Sequence, residues 1–96
     1  MGNVLPPTKE LYILGCLSDQ PGGLYGLEMV KASNGKLARG TVYVLLSRLE
    51  EKGFVTAKAD PHANHPGLPR RQYKLTGLGR RALEAAELMG FSMVKA

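Results

Sequence analysis

The chain of 96 residues has no tryptophan and only one cysteine, Cys16. A single cysteine excludes an internal disulfide, so we expect a protein of the reducing cytoplasm. No apolar run approaches the ~20 residues that cross a bilayer, so we expect no membrane-spanning segment. The N-terminus lacks the basic region and the apolar stretch of a signal peptide. These absences favour one small globular domain without a membrane partner.

The sequence also lacks the usual motifs of enzymes. It contains no phosphate-binding loop, no nucleophile elbow and no paired-carboxylate pattern. His62 and His65 have the spacing of metal ligands, but only Asp60 stands near enough to join them, and a zinc site needs a fuller set. We therefore predict no catalytic residues, no metal and no cofactor. Two alternatives remain for this histidine-containing loop: it enters a DNA minor groove, or it is only solvated.

Positive charge is concentrated in the middle of the chain. The net charge of the whole sequence is +5, yet residues 36–81 alone carry ten basic and three acidic side chains, a net +7. Residues 1–35 and 82–96 each carry a net charge of −1. A basic centre between slightly acidic ends is the electrostatic pattern expected of a polyanion-binding surface.

Residues 40–53 have the pattern of a short amphipathic helix. Val42, Leu45, Leu46 and Leu49 recur at helical spacing, so they would share one buried face. The opposite face would carry hydroxyl, aromatic and basic side chains. Gly53 follows where a helix end favours a left-handed residue.

The remaining segments predict the rest of the fold. Residues 8–20 and 24–33 read as helices, 54–59 and 71–76 as the strands of a β-hairpin with a proline-rich tip, and 77–93 as a last helix capped by Thr76. The predicted fold class is mainly α: a winged helix-turn-helix of three helices and a two-stranded wing over residues 1–76. Residues 77–96 would add a C-terminal dimerisation helix to the same domain.

Three blocks of the sequence resemble the PadR-like transcriptional regulators. Residues 39–43 and 46–55 are similar to that family's recognition-helix signature, residues 25–31 to its second-helix motif, and residues 70–76 with 79–83 to its wing and the start of its last helix. The similarity covers about residues 10–85 and is closest to the short-tailed branch of the family. It implies a homodimeric regulator of transcription, often a repressor, that binds a pseudo-palindromic site in double-stranded DNA.

The resemblance implies DNA contacts from the recognition helix, from Tyr25 on the second helix and from two arginines of the wing. The recognition-helix and wing positions are Thr41, Tyr43, Ser47, Arg48, Arg70 and Arg71. Basic side chains suit phosphate contacts, which supply affinity without reading sequence. The basic residues suited to phosphate contacts are Lys36, Arg39 and Lys58, together with the wing arginines Arg70 and Arg71.

Individual side chains keep alternatives open. Arg48 suits a bidentate contact with guanine, but it could instead pair with Glu51 on its own helix. Tyr43 could donate its hydroxyl to a phosphate or be a half-buried ring. Val44, where family members commonly have a polar or basic residue, could meet a thymine methyl or be an ordinary surface valine.

An apolar stripe on the last helix, together with two apolar residues of the first helix, predicts a dimer interface. Its residues are Leu11, Leu14, Leu78, Ala82, Ala86, Met89, Phe91 and Met93. With Tyr12 and Cys16 these helices could also enclose a small aromatic effector, although plain dimer packing is the favoured explanation. A winged-helix module that binds a protein rather than DNA is the alternative function. The sequence does not give the operator or the sign of regulation.

Overall fold

The order of helices and strands agrees with the predicted winged helix-turn-helix. A computed structural model describes residues 7–59 and 71–91. The elements, in chain order, are α1 (Thr8–Ser18), β1 (Leu24–Tyr25), α2 (Gly26–Ala32), α3 (Arg39–Glu51), β2 (Val55–Ala59), β3 (Arg71–Leu75) and α4 (Gly77–Leu88). Helices α2 and α3 form the helix-turn-helix, and β2 and β3 form the base of the wing.

The sheet has three antiparallel strands in the order β1-β3-β2, one more than the sequence predicts. Leu24 lies opposite Tyr73 and Tyr25 opposite Gln72, so β3 is bonded on both edges. The backbone of Leu24 and Tyr25 pairs with β3, so helix α2 begins only at Gly26. The prediction therefore started the second helix two residues too early.

The hydrophobic core joins all four helices to the sheet. Ile13, Leu14 and Leu17 of α1 pack with the buried face of α3. The four residues predicted for that face are all buried: Val42, Leu45, Leu46 and Leu49. Because this face lies in the core, the opposite side of α3 must face solvent.

Two signals read from the sequence are confirmed: the glycine that follows the C-terminal end of α3 and the threonine that caps the N-terminal end of α4. Gly53 has φ +81°, and the amides of Gly53 and Phe54 donate to the carbonyls of Glu50 and Leu49 at 3.0 and 2.9 Å. These two bonds form a Schellman motif, which closes α3. The Thr76 hydroxyl oxygen accepts from the Gly79 amide at 3.0 Å and so caps α4.

Helix α4 is shorter than predicted. It ends at Leu88, where Gly90 at φ +105° and the bond from the Phe91 amide to the Ala86 carbonyl make a second Schellman turn. The prediction of a helix to residue 93 was wrong because the stripe pattern continues through Gly90, whereas the backbone turns there. Among the described residues, none of the helices combines the length and apolar character needed to cross a membrane.

Candidate nucleic-acid interface

The solvent-facing ridge of α3 is the most prominent feature of the basic segment. Gly40, Val44, Ser47 and Glu51 are exposed and lie opposite the buried face. Val44 is 51% exposed, so a branched apolar side chain stands in water at the centre of the ridge. Such a side chain can contact a thymine methyl group, and Ser47 beside it can donate or accept a hydrogen bond.

Arg48 lies on one flank of this ridge. Its side chain is exposed and forms no ion pair or hydrogen bond with any described residue. The predicted alternative, a pair with Glu51 on the same helix, is therefore not formed. Thr41 lies on the same flank and is partly buried. The five guanidinium donors of Arg48 are thus open to an outside acceptor.

Tyr43 lies on the opposite flank and has a mixed environment. Its side chain is 38% exposed, while its ring packs against Gly26 at the start of α2. The ring is thus half-buried, as one of the two alternatives for Tyr43 predicts, and the contact of its hydroxyl with a phosphate stays a prediction. Tyr25 precedes Gly26, and its amide donates to the Glu28 carboxylate at 2.7 Å, which closes the N-terminal turn of α2.

Arg71 also belongs to this second flank. Its Nη2 donates to Oε2 of Glu50 at 3.2 Å, and its guanidinium carbon lies 5.9 Å from the centre of the Tyr73 ring. Glu50 is two positions from Arg48, or about 200° around the helix. Arg48 and Arg71 therefore approach the ridge of α3 from its two sides.

Burial raises the pKa of the Tyr73 phenol, and the nearby charge of Arg71 opposes that rise.

The wing does not bring all its basic residues to the same face. Tyr73 is buried, so Arg71, two positions away, shares its core-facing side of β3. Lys58 is exposed and lies opposite Gln72, which places it on the other face of the hairpin. Lys58 is therefore separated from the ridge of α3, in contrast to Arg71.

The other predicted positions are at the edges of the interface or outside the described residues. Lys36 and Arg39 are exposed in and after the turn that leads into α3. Arg70 and the loop with His62 and His65 fall in the undescribed range 60–70, so their predicted roles are not placed. Across the described ranges 7–59 and 71–91, no cluster of three acidic, cysteine or histidine side chains could hold a metal.

The predicted dimer surface needs correction. Leu11, Leu14 and Ala86 have exposed fractions of 6%, 0% and 1%, so they belong to the chain's own core and leave no area for a second subunit. The sequence pattern could not show this, because α4 packs against α1 of the same chain. Ala82 and Phe91 are partly buried beside that core.

Two residues of the stripe remain exposed, Leu78 at 45% and Met89 at 76%. They lie on the same flank of α4 as Ala82 and Ala85, at helical spacing. Leu88 is 89% exposed but points about 100° away from Met89. Met93 lies outside the described residues. Cys16 is partly buried, and its burial, together with the charge of Asp19, raises the pKa of the thiol.

An ion pair fixes the C-terminal end of α3 to α1. Lys52 Nζ lies 2.8 Å from Glu10 Oε1, and Glu10 is only 1% exposed. The sequence did not predict the ion pairs that Glu10 and Glu50 form with distant cations. It also did not predict the contact between Gly26 and Tyr43. The glycine next to Tyr25, at the start of a helix, was the one available signal of a close approach.

Comparison with known proteins agrees with the winged helix-turn-helix fold. The family model described as the transcriptional regulator PadR-like family matches residues 13–85. A PadR family transcription regulator from Clostridium difficile is 26% identical, with 83% of each chain covered and a TM-score of 0.71. One from Eggerthella lenta is 29% identical over 85% of this chain and 73% of its own, with a TM-score of 0.67.

A third similar structure includes DNA. The S. aureus MepR–DNA complex is 25% identical, covers 86% of this chain and 62% of that chain, and has a TM-score of 0.69. No match to a curated protein was found.

Proposed function

The chain belongs to the PadR-like family of transcriptional regulators, and we propose that it binds a specific, pseudo-palindromic site in duplex DNA as a homodimer and represses transcription there. DNA binding and regulation are the properties of the family. The dimer, the operator and the repression are the finer parts of the proposal. We also infer a cytoplasmic location, since such a regulator must reach the DNA.

The ridge of α3 is the observation that carries the proposal. Its buried face is fixed in the core, so Val44, Ser47 and the guanidinium of Arg48, which pairs with no acid of residues 7–59 or 71–91, are held outward on a rigid helix. A side chain held in this way can read the edges of bases in a major groove, which admits one α-helix. The MepR–DNA complex, which has a similar fold, supports DNA binding by a domain of this kind.

The surrounding charges favour DNA over a protein partner. Lys36 and Arg39 lie at the start of α3 and Arg71 lies beside its flank, so cations surround the ridge on the sides where phosphates would lie. A winged-helix module for protein binding would not require this basic surface. It remains the alternative if no duplex is bound.

The dimer rests on α4. Leu78 and Met89 are exposed on one flank of the helix, with Ala82 and Ala85 between them. A narrow stripe of small and apolar residues suits close helix pairing, and a two-fold dimer would repeat it on both sides. An aromatic effector between these helices remains a prediction without further support.

Selection of duplexes from a random pool tests the whole proposal. The expected product is an inverted repeat whose half-sites are about one helical turn apart, as two recognition helices require. Recovery of single half-sites would contradict the dimer. Failure to enrich any duplex at low salt would contradict DNA binding and favour the protein-interaction alternative.

A further inference from the structure

Arg71 is held by the chain itself at the edge of the proposed DNA surface. Its guanidinium donates to Glu50 at 3.2 Å and lies over the Tyr73 ring at 5.9 Å. The bond connects the base of the wing to the recognition helix, 21 positions apart in sequence. Both partners are partly exposed, at 49% for Arg71 and 37% for Glu50, so solvent and an incoming ligand can reach the pair.

This pairing distinguishes Arg71 from the other basic side chains near the ridge. Within residues 7–59 and 71–91, Lys36, Arg39 and Arg48 form no ion pair. Glu51, the neighbour of Glu50, is exposed and likewise forms none with a described residue. Of these two adjacent acids, Glu50 is therefore the one that pairs with Arg71.

A carboxylate and a phosphate compete for the same guanidinium. Both accept hydrogen bonds from its N–H groups, and Arg binds both with similar geometry. An arginine already neutralised by a carboxylate has little charge left to displace counterions from DNA, and counterion displacement supplies most sequence-independent affinity. Glu50 would also repel a phosphate that approaches Arg71.

We propose that Glu50 is an internal substitute for DNA phosphate: it holds Arg71 in the free protein and so limits the affinity for duplexes of any sequence. The inference rests on the proposed function. Its consequence is selectivity, because a regulator must find one site among a large excess of non-specific ones. Contacts from the ridge of α3 are unaffected by Glu50, whereas the sequence-independent contribution of the wing base is reduced.

The test compares Glu50→Gln with Glu51→Gln. Both substitutions remove one negative charge from adjacent positions of α3, but only the first releases Arg71. Binding to a random-sequence duplex is measured by fluorescence anisotropy over a range of salt concentrations. We expect Glu50→Gln to bind several-fold more tightly at low salt and to steepen the slope of log K against log salt by about 0.9, the value of one added phosphate contact. Glu51→Gln relieves repulsion of phosphate at the ridge but releases no cation of the described residues, so it should change the slope much less.

Arg71→Ala supplies the second arm. In that background, Glu50→Gln should no longer differ from Glu51→Gln, because no guanidinium remains to release. Equal effects of the two glutamine substitutions with Arg71 present would overturn the inference, and so would weaker binding by Glu50→Gln, which would mean that Glu50 orients Arg71 for DNA. Failure of the unmodified protein to bind any duplex would instead refute the proposed function, and this inference with it.

Discussion

The ring of Tyr43 lies on Gly26, so closely that a Cβ atom added to Gly26 would stand 2.6 Å from Tyr43 Cε1 and 2.8 Å from its hydroxyl oxygen. This contact joins the first residue of α2 to the N-terminal half of α3. The lack of a side chain at Gly26 leaves room for the Tyr43 ring between the two helices of the helix-turn-helix. A larger residue at this position would have to displace that ring.

Gly26→Ala should displace the Tyr43 ring and destabilise the fold by about 1–3 kcal/mol, the usual cost of an added methyl group in a packed region. Gly26 does not have a left-handed φ, so the cost would be steric. Thermal or denaturant unfolding measures it. Gly40→Ala is the control, since nothing lies within 4 Å of its Cβ position, and it should stabilise α3 by about 0.5–1 kcal/mol. The steric account fails if Gly26→Ala costs as much in a Tyr43→Ala background.

Arg48→Ala should weaken binding to the selected operator by about 10- to 100-fold, because a bidentate contact with guanine contributes roughly 1–3 kcal/mol of discrimination. Binding to a random duplex should fall far less. Arg39→Ala provides the comparison, since a phosphate contact at the start of α3 would be lost equally from both duplexes. Equal losses for Arg48→Ala on both duplexes would show that Arg48 only neutralises phosphate.

Lys52→Met should destabilise the fold by about 1–3 kcal/mol, because it leaves the carboxylate of Glu10 buried without its partner. Lys31→Met, at an exposed position of α2, should have little effect. The double variant Glu10→Gln/Lys52→Met should recover part of the loss, since no buried charge remains. Denaturant unfolding of the unmodified protein, Glu10→Gln, Lys52→Met and the double variant completes the cycle, and additive losses would contradict a direct pairing.

Met89→Glu should dissociate the proposed dimer, because it places a charge in the exposed apolar stripe of α4. Sedimentation velocity at several protein concentrations measures the oligomeric state. Leu88→Glu is the matched control: it adds the same charge at an exposed neighbouring residue that points away from the stripe. A dimer that survives Met89→Glu, or a protein that is monomeric before substitution, would refute the interface.

Much of the architecture could be read from local patterns. The buried face of α3 follows from apolar residues at helical spacing, and the ends of α3 and α4 follow from Gly53 and Thr76. These features depend on residues within one or two turns of each other. Local spacing and capping are sufficient to specify them.

Strand β1 was not predictable in the same way. It consists of Leu24 and Tyr25 alone, too short for alternation to show, and its partner β3 lies nearly fifty residues later in the sequence. The assignment of Leu11, Leu14 and Ala86 to the dimer stripe was wrong for a related reason. Helical spacing showed that Leu14 and Ala86 lie on apolar faces of their helices, but not that both faces belong to the core of the same chain.

The sequence by itself determined the family, the amphipathic helix α3 and the concentration of positive charge around it, because these depend on residue order and local periodicity. Only the tertiary structure decided which charges are free. It left Arg48 without a partner among the described residues, paired Arg71 with Glu50 and Lys52 with Glu10, and placed Tyr43 on Gly26. Such contacts join residues far apart in the chain, and they exist only once packing has brought the helices and strands together.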